Sequence, residues 1–158
     1  MWRKITSIIC VLVVITGLFS ACEQKIKRQD LPKESEFSVR IEVTSVKKTA
    51  ENKYVLCVKA VLTNHSDRDW VIYGNPTCWS EIFVNGRGEN QDLPLGSYTL
   101  ESGAELIEEK EILFSAEERA QGEMYAQTSF YIEFENEQKQ YYKISSEKIF
   151  LSEVKENA

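Results

Sequence analysis

The feature of this sequence that most restricts its fold is an alternation of apolar and polar residues with a period of two. Between Phe37 and Thr44 the apolar residues occupy every second position, and polar residues fill the positions between them. Successive side chains of a β-strand point to opposite faces, so this pattern predicts a strand with one buried face. A second such segment runs from Lys53 to Thr63 and ends at a polar turn over residues 64–67.

Further short apolar segments predict strands, and turn-forming residues separate them. These segments are Trp70 to Tyr73, Ser80 to Val84, Ser97 to Leu100, Leu106 to Phe114, Met124 to Phe134 and Gln140 to Leu151. Seven or eight short strands without alternating helices are typical of an all-β, antiparallel two-sheet sandwich. We place this sandwich at residues 36–153. Helix-forming residues between Leu106 and Gln121 predict one helical turn within it.

The first 21 residues have the plan of a signal peptide. Arg3 and Lys4 precede an almost uninterrupted apolar stretch that runs from Ile5 to Phe19. This stretch is short for a transmembrane helix, which needs about 20 apolar residues. It leads into Leu18-Phe19-Ser20-Ala21-Cys22, which resembles the lipobox of bacterial lipoproteins. Phe19 departs from the smaller aliphatic residue that is usual in that motif.

The lipobox resemblance implies that the chain is cut before Cys22 and that lipid on this cysteine holds it to a membrane. A cysteine thiolate is a strong nucleophile, and it takes a diacylglyceryl group as a thioether. Fatty acids such as palmitate then supply the chains of the anchor, which is stable when two or three chains are present. The alternative is an uncleaved N-terminal anchor in which Cys22 is an ordinary thiol.

Residues 22–35 form a polar segment in which Pro32 stands among charged residues. Such a composition predicts a flexible tether between the anchor and the sandwich. No acidic run follows Cys22, whereas such a run accompanies display on the cell exterior in some lipoprotein groups. We therefore expect an extracytoplasmic protein of the bacterial cell envelope, on the periplasmic face of the outer membrane where the cell has two membranes.

Acidic residues outnumber basic residues in this chain. The whole sequence has 19 Lys and Arg against 25 Asp and Glu, a net charge of −6. Removal of Arg3 and Lys4 with the signal peptide leaves 17 against 25, a net charge of −8. Nucleic acids are bound through clustered Lys and Arg, so this balance argues against a nucleic-acid partner.

The sequence offers no recognisable catalytic arrangement. Its single histidine, His65, lies in a turn, and no pattern of carboxylates, hydroxyls or further nitrogens accompanies it. The clustered glutamates lack the alternating Asp/Asn-Gly loop of a calcium site. We therefore expect a protein that is not an enzyme and that needs no cofactor or metal.

Cys57 and Cys78 lack the Cys-x-x-Cys spacing of zinc and thioredoxin-like sites. In an exported protein they could instead form a disulfide. Its loop of about 20 residues would contribute roughly 3 kcal/mol in the chain-entropy model. The alternative is a pair of buried thiols that pack as small apolar residues. Both interpretations fit the sequence.

Aromatic residues gather around the predicted turns near residues 74–76 and 85–86. The candidate binding residues among them are Trp70, Tyr73, Trp79 and Tyr98. A sugar or a partner strand could stack on such a patch, since aromatic faces with neighbouring polar groups make good binding surfaces. The alternative is that these side chains fill the core between the two sheets.

Two short motifs stand at strand ends and turns of the domain. They are Leu62-Thr63-Asn64-His65-Ser66 with Trp70-Val71-Ile72, and Leu100-Glu101-Ser102-Gly103-Ala104. These motifs resemble bacterial immunoglobulin-like sandwiches, including relatives of the bacterial intracellular proteinase inhibitor family. The resemblance implies an immunoglobulin-like fold and carries over no inhibitory residue. We expect a lipid-anchored, non-catalytic module that binds an envelope protein or a glycan. The alternative is an inhibitor of an extracytoplasmic protease.

Overall fold

The computed structural model describes residues 26–49, 52–76, 78–88 and 95–155. Within these ranges the chain forms nine strands. They are β1 (Phe37–Lys48), β2 (Lys53–Asn64), β3 (Trp70–Gly74), β4 (Ser80–Val84), β5 (Gly96–Leu100), β6 (Glu105–Ser115), β7 (Glu123–Phe134), β8 (Gln138–Ser145) and β9 (Ile149–Phe150). The predicted signal peptide and the predicted lipid-carrying Cys22 lie outside the described residues.

The strands form two antiparallel sheets. The first sheet has the order β1-β2-β6. In the second sheet β7 is the central strand, with β4 and then β3 along one edge and β8 and β9 along the other, while β5 pairs with β3. The predicted all-β, antiparallel two-sheet sandwich is therefore confirmed. The segment predicted as one strand from Gln140 to Leu151 is divided between β8 and the two-residue β9.

A single α-helical turn, α1 (Ala116–Gln121), connects β6 to β7. Ser115 caps its start, because the Ser115 hydroxyl accepts a hydrogen bond from the Glu118 amide at 3.1 Å. The Glu118 carboxylate in turn accepts from the Ser115 amide at 2.8 Å. This reciprocal capping box stabilises the helix start. The predicted helical turn is present at this place.

The core lies between the inner faces of the two sheets. In β2, Tyr54, Leu56, Val58, Ala60 and Leu62 are all buried, as the period of two predicts. The facing positions of the second sheet are also buried and include Ile72, Leu100, Met124, Phe130, Ile132 and Tyr142. Full burial of one such aliphatic side chain contributes about 1.5–3 kcal/mol. These inner faces hold the two sheets together.

The chain before β1 packs against the domain. The Glu135 amide donates to the Ile26 carbonyl at 3.1 Å, and Leu31 packs against the core. The Tyr142 hydroxyl donates to the buried Pro32 carbonyl at 2.8 Å. The tether is predicted at residues 22–35, and its described part contacts the sandwich through Ile26, Leu31 and Pro32. Residues 22–25 lie outside the described ranges.

Replacement of Tyr142 by Phe should lower the free energy of unfolding by about 1 kcal/mol, because the Pro32 carbonyl loses its donor. Burial, with a smaller effect from the Glu36 carboxylate, raises the pKa of Tyr142 from 10 to about 12. The folded state therefore keeps this proton longer than the unfolded state. The contribution of protonated Tyr142 to the free energy of unfolding is fully present below pH 10 and is lost as the pH rises to about 12.

Urea denaturation across this alkaline range would measure the effect of Tyr142→Phe. The variant should lose less stability than the wild type between neutral pH and the upper end of that range. Tyr141→Phe is the matched control, because Tyr141 neighbours Tyr142 but lies on the exposed face of β8. Equal alkaline loss in the wild type and Tyr142→Phe would contradict the assignment.

Candidate functional site

The four aromatic residues predicted as one binding patch lie at three separate places. Trp70 is in the core, 4% exposed, and its indole N–H donates to the Ser66 hydroxyl at 2.8 Å. Trp79 and Tyr98 lie side by side, with ring centroids 6.1 Å apart. Tyr73 is on the opposite face of the second sheet. Trp70 and Tyr73 are three residues apart on β3, and an odd separation on a strand places side chains on opposite faces.

Tyr73 belongs to a row of three tyrosines that crosses the outer face of the second sheet. Tyr73 is opposite Tyr131 in the register of β3 and β7, and Tyr131 is opposite Tyr141 in the register of β7 and β8. The first two rings are stacked, with centroids 5.1 Å apart and planes 9° apart. The Tyr141 ring lies 5.5 Å from that of Tyr131 and is tilted by 50°. We call these residues the tyrosine row.

A groove of about 400 Å³ lies over the tyrosine row. Leu95, Lys139 and Lys143 line it together with the three tyrosines, and we call this set of six residues the outer groove. Leu95 and Tyr141 are 66% and 68% exposed, so the groove has prominent apolar side chains. Tyr131 is only 7% exposed and lies at its floor.

The two lysines give the outer groove a local positive charge. The Lys139 ammonium lies 4.4 Å from the centroid of the Tyr131 ring, which is a cation–π contact. The pKa of Lys139 is raised, chiefly by a hydrogen bond to Tyr131. Glu133 is opposite Lys139 in the register of β7 and β8. The groove therefore combines exposed aromatic surface with cations.

Sequence reasoning missed Tyr131 and Tyr141 as site residues, since it looked for aromatics that are close together along the chain. A signal was nevertheless present in the period of two. Tyr131 follows Phe130 and precedes Ile132, both of them buried, so it belongs to the outward set of β7. An aromatic residue at an outward position of a central strand is a candidate surface residue.

Cys57 and Cys78 are free thiols. They lie on opposite sides of β6, a strand of the first sheet. Cys57 contacts Glu111 at 3.8 Å, and Cys78 accepts a hydrogen bond from Lys110, the residue next to Glu111 on β6, at 2.8 Å. Consecutive residues of β6 point to opposite faces. The disulfide that the sequence allowed is not formed in this structure. Both cysteines are half-buried, so they also differ from the buried thiols of the alternative.

Cys78 belongs to a polar cluster that joins β6 to β4 and β7. The Glu108 carboxylate accepts from the Ser80 amide at 2.8 Å, and the Ser80 and Thr128 hydroxyls are 2.6 Å apart. Burial lowers the pKa of Lys110, but the hydrogen bond to Cys78 and the charge of Glu108 outweigh it, so this pKa is raised. These contacts satisfy each member of the cluster, and they link the two sheets at their edges.

His65 lies in an exposed turn, and its Nε2 atom is 2.6 Å from the Ser38 hydroxyl oxygen. In the described ranges, no group of three or more His, Cys, Asp and Glu side chains could hold a metal ion. Among the same residues, none of the helices has the length and apolar character needed to cross a membrane.

The comparisons with known proteins identify no family for this chain. No protein-family model matches the sequence, and no curated protein matches it. A solved structure described as the X-ray structure of Northeast Structural Genomics Consortium target SoR45 aligns with a TM-score of 0.44 and 11% sequence identity. The alignment covers 73% of this chain and 86% of that chain. At this TM-score the likeness carries no argument about this protein.

Proposed function

We propose that this protein is a lipid-anchored lipoprotein of the bacterial cell envelope, and that its sandwich is a non-catalytic module that binds a partner in the outer groove. The observation that carries the binding proposal is the exposure of Tyr141 and Leu95 beside two lysines in one groove. Its volume of about 400 Å³ lies in the range typical of ligand sites. Apolar surface of this kind with a few charged groups is the usual composition of a binding site.

The position of the anchor supports display at a membrane surface. The sandwich makes its first described contacts at Ile26, four residues after Cys22. Four residues span at most about 14 Å when fully extended. Lys27 and Arg28 follow directly, and each basic residue near an anionic surface adds attraction of about 1 kcal/mol. A domain tethered in this way stays close to the membrane.

Labelling of cells with radioactive palmitate tests the anchor. The wild-type chain should incorporate label and Cys22→Ala should not, because the thioether forms only on that cysteine. Cys57→Ala is the matched control and should be labelled like the wild type. Equal labelling of the wild type and Cys22→Ala would overturn the lipid anchor.

Affinity capture from envelope extract tests the groove. The full chain in detergent should retain envelope material, and Tyr141→Ser should lose most of it. Tyr98→Ser is the matched control, since Tyr98 is an exposed tyrosine that lies beside Trp79, outside the outer groove. Identical retention by the wild type and Tyr141→Ser would overturn the groove as the binding site. Inhibition of an extracytoplasmic protease remains the alternative, and it rests on the family resemblance alone.

A further inference from the structure

We infer that the outer groove binds a carboxylated saccharide of an envelope glycan, with a sugar ring against Tyr141 and its carboxylate beside Lys143. This inference rests on the proposed function, because it names the ligand class of the same groove. Three properties of the groove support it. They are a floor made by a sheet face, an exposed aromatic side chain, and cations on both sides of that side chain.

The floor of the outer groove is the face of a sheet and not its edge. β7 pairs with β3 at Tyr73 and with β8 at Tyr141, so the three tyrosines project from one sheet face. An extended peptide gains affinity by adding a strand to an exposed edge, where backbone groups are unpaired. β8 is the outermost strand on its side of the sheet, but the groove lies over the sheet face, where side chains are presented. A ligand in this groove therefore meets side chains, and it must bring apolar faces and hydrogen-bonding groups of its own.

Tyr141 is the aromatic side chain that a ligand can reach. The ring of Tyr131 is covered by Tyr73 on one side and by the Lys139 ammonium, whereas Tyr141 is 68% exposed. A pyranose ring has an apolar face of C–H groups, which packs against an aromatic ring, and a rim of hydroxyls. The Tyr141 hydroxyl and the exposed Ser129 beside the tyrosine row can bond such a rim.

Cations lie on both sides of Tyr141 along β8. Lys139, Tyr141 and Lys143 alternate with Gln140 and Tyr142, so the three side chains share the outer face. Residues two apart on a strand are about 7 Å apart, which places each ammonium within reach of a group on a ring against Tyr141.

The charges around the groove favour an anion. Glu133 faces Lys139 in the register of β7 and β8, but Lys143 is opposite Ser129 and has no ion pair among the described residues. The chain as a whole has a net charge of −6, whereas the described residues that line the groove include two lysines and no acidic residue. A carboxylate pairs with an ammonium through a charge-assisted hydrogen bond. The sugar that best fits the groove is therefore an acidic one.

Calorimetric titration of the full chain in detergent tests this inference with two matched probes. The first is an oligosaccharide of alternating glucuronic acid and N-acetylglucosamine. The second is the same oligosaccharide with its carboxyl groups reduced to alcohols. The acidic probe should bind on the order of tenfold more tightly, since a charge-assisted hydrogen bond is lost in the neutral one. Tyr141→Ala and Lys143→Gln should each weaken binding of the acidic probe by a similar factor.

Lys47→Gln is the matched control for Lys143→Gln, because Lys47 is an exposed lysine on β1 of the other sheet. It should leave the affinity unchanged, and all variants should melt like the wild type. Equal affinity for the two probes would overturn the carboxylate contact. Binding of poly-glutamate in place of both saccharides would overturn the glycan and favour an acidic peptide.

These failures are distinguishable from failure of the proposed function. If neither saccharide binds but Tyr141→Ser still loses envelope material, the ligand class is wrong and the groove remains the binding site. If the saccharides do not bind and capture is independent of Tyr141, the inference and the proposed binding site are both wrong.

Discussion

Replacement of Asn64 by Ala should lower the free energy of unfolding by about 3–5 kcal/mol, the largest loss expected for a polar residue of this protein. Asn64 is fully buried at the end of β2. Its side-chain amide donates to the carbonyls of Arg68, Leu100 and Glu101 at 2.8–3.1 Å. Its carbonyl oxygen accepts from the amide and the hydroxyl of Ser66 at 3.0 and 2.7 Å.

The size of this effect follows from the number of groups that Asn64 satisfies. Each buried donor or acceptor left without a partner costs about 1–3 kcal/mol. The backbone of Asn64 also bonds the turn before β6, since its amide donates to Ala104 and its carbonyl accepts from Gly103. The residue therefore ties the turn after β2 to the turn after β5. Alanine keeps these backbone bonds but cannot replace the contacts of the Asn64 side chain.

Urea denaturation of Asn64→Ala and of the exposed control Ser97→Ala would measure the difference. Ser97 lies on the outer face of β5, so its replacement should change the free energy of unfolding by no more than about 0.5 kcal/mol. Asn64→Asp would keep the bonds to Ser66 but place a carboxylate against three carbonyls, and should be as destabilising as alanine. A loss below about 1 kcal/mol for Asn64→Ala would contradict the network.

Replacement of Trp70 by Ala should also cost about 3–5 kcal/mol of free energy of unfolding. The indole is buried between the sheets, and its N–H is bonded to the Ser66 hydroxyl, which belongs to the Asn64 network. The substitution leaves a cavity and removes the indole donor from the Ser66 hydroxyl. Tyr98 is another of the four aromatic residues predicted as a binding patch, and it is exposed. Its replacement by Ala is the control and should lower the free energy of unfolding much less.

Tryptophan fluorescence gives an independent check on Trp70. A buried indole emits at shorter wavelength than one in water, so Trp70→Phe should remove the short-wavelength part of the emission from the folded chain. Trp79→Phe should remove a longer-wavelength part, because Trp79 lies only half-buried beside Tyr98. If Trp70→Ala were no more destabilising than Tyr98→Ala, Trp70 would belong to the surface after all.

The elements of this fold follow from local patterns. The strands at 37–48, 53–64 and 80–84 lie where alternating or short apolar segments predicted them, because a strand with one buried face needs an apolar residue at every second position. The helical turn at Ala116–Gln121 follows from helix-forming residues, and Ser115 and Glu118 provide its capping box. These signals involve neighbours in the sequence, which is why they can be recognised without a structure.

The lipobox resemblance at Cys22 is local in the same sense, since it depends on a few consecutive residues. The outer groove is not. Tyr73, Tyr131 and Tyr141 come together because β7 pairs with β3 and β8. The faces of Cys57 and Cys78 likewise depend on how β2, β6 and β4 are arranged. Strand pairing joins residues that are distant in the chain, and a period of two gives the face of each side chain but not its neighbours on other strands.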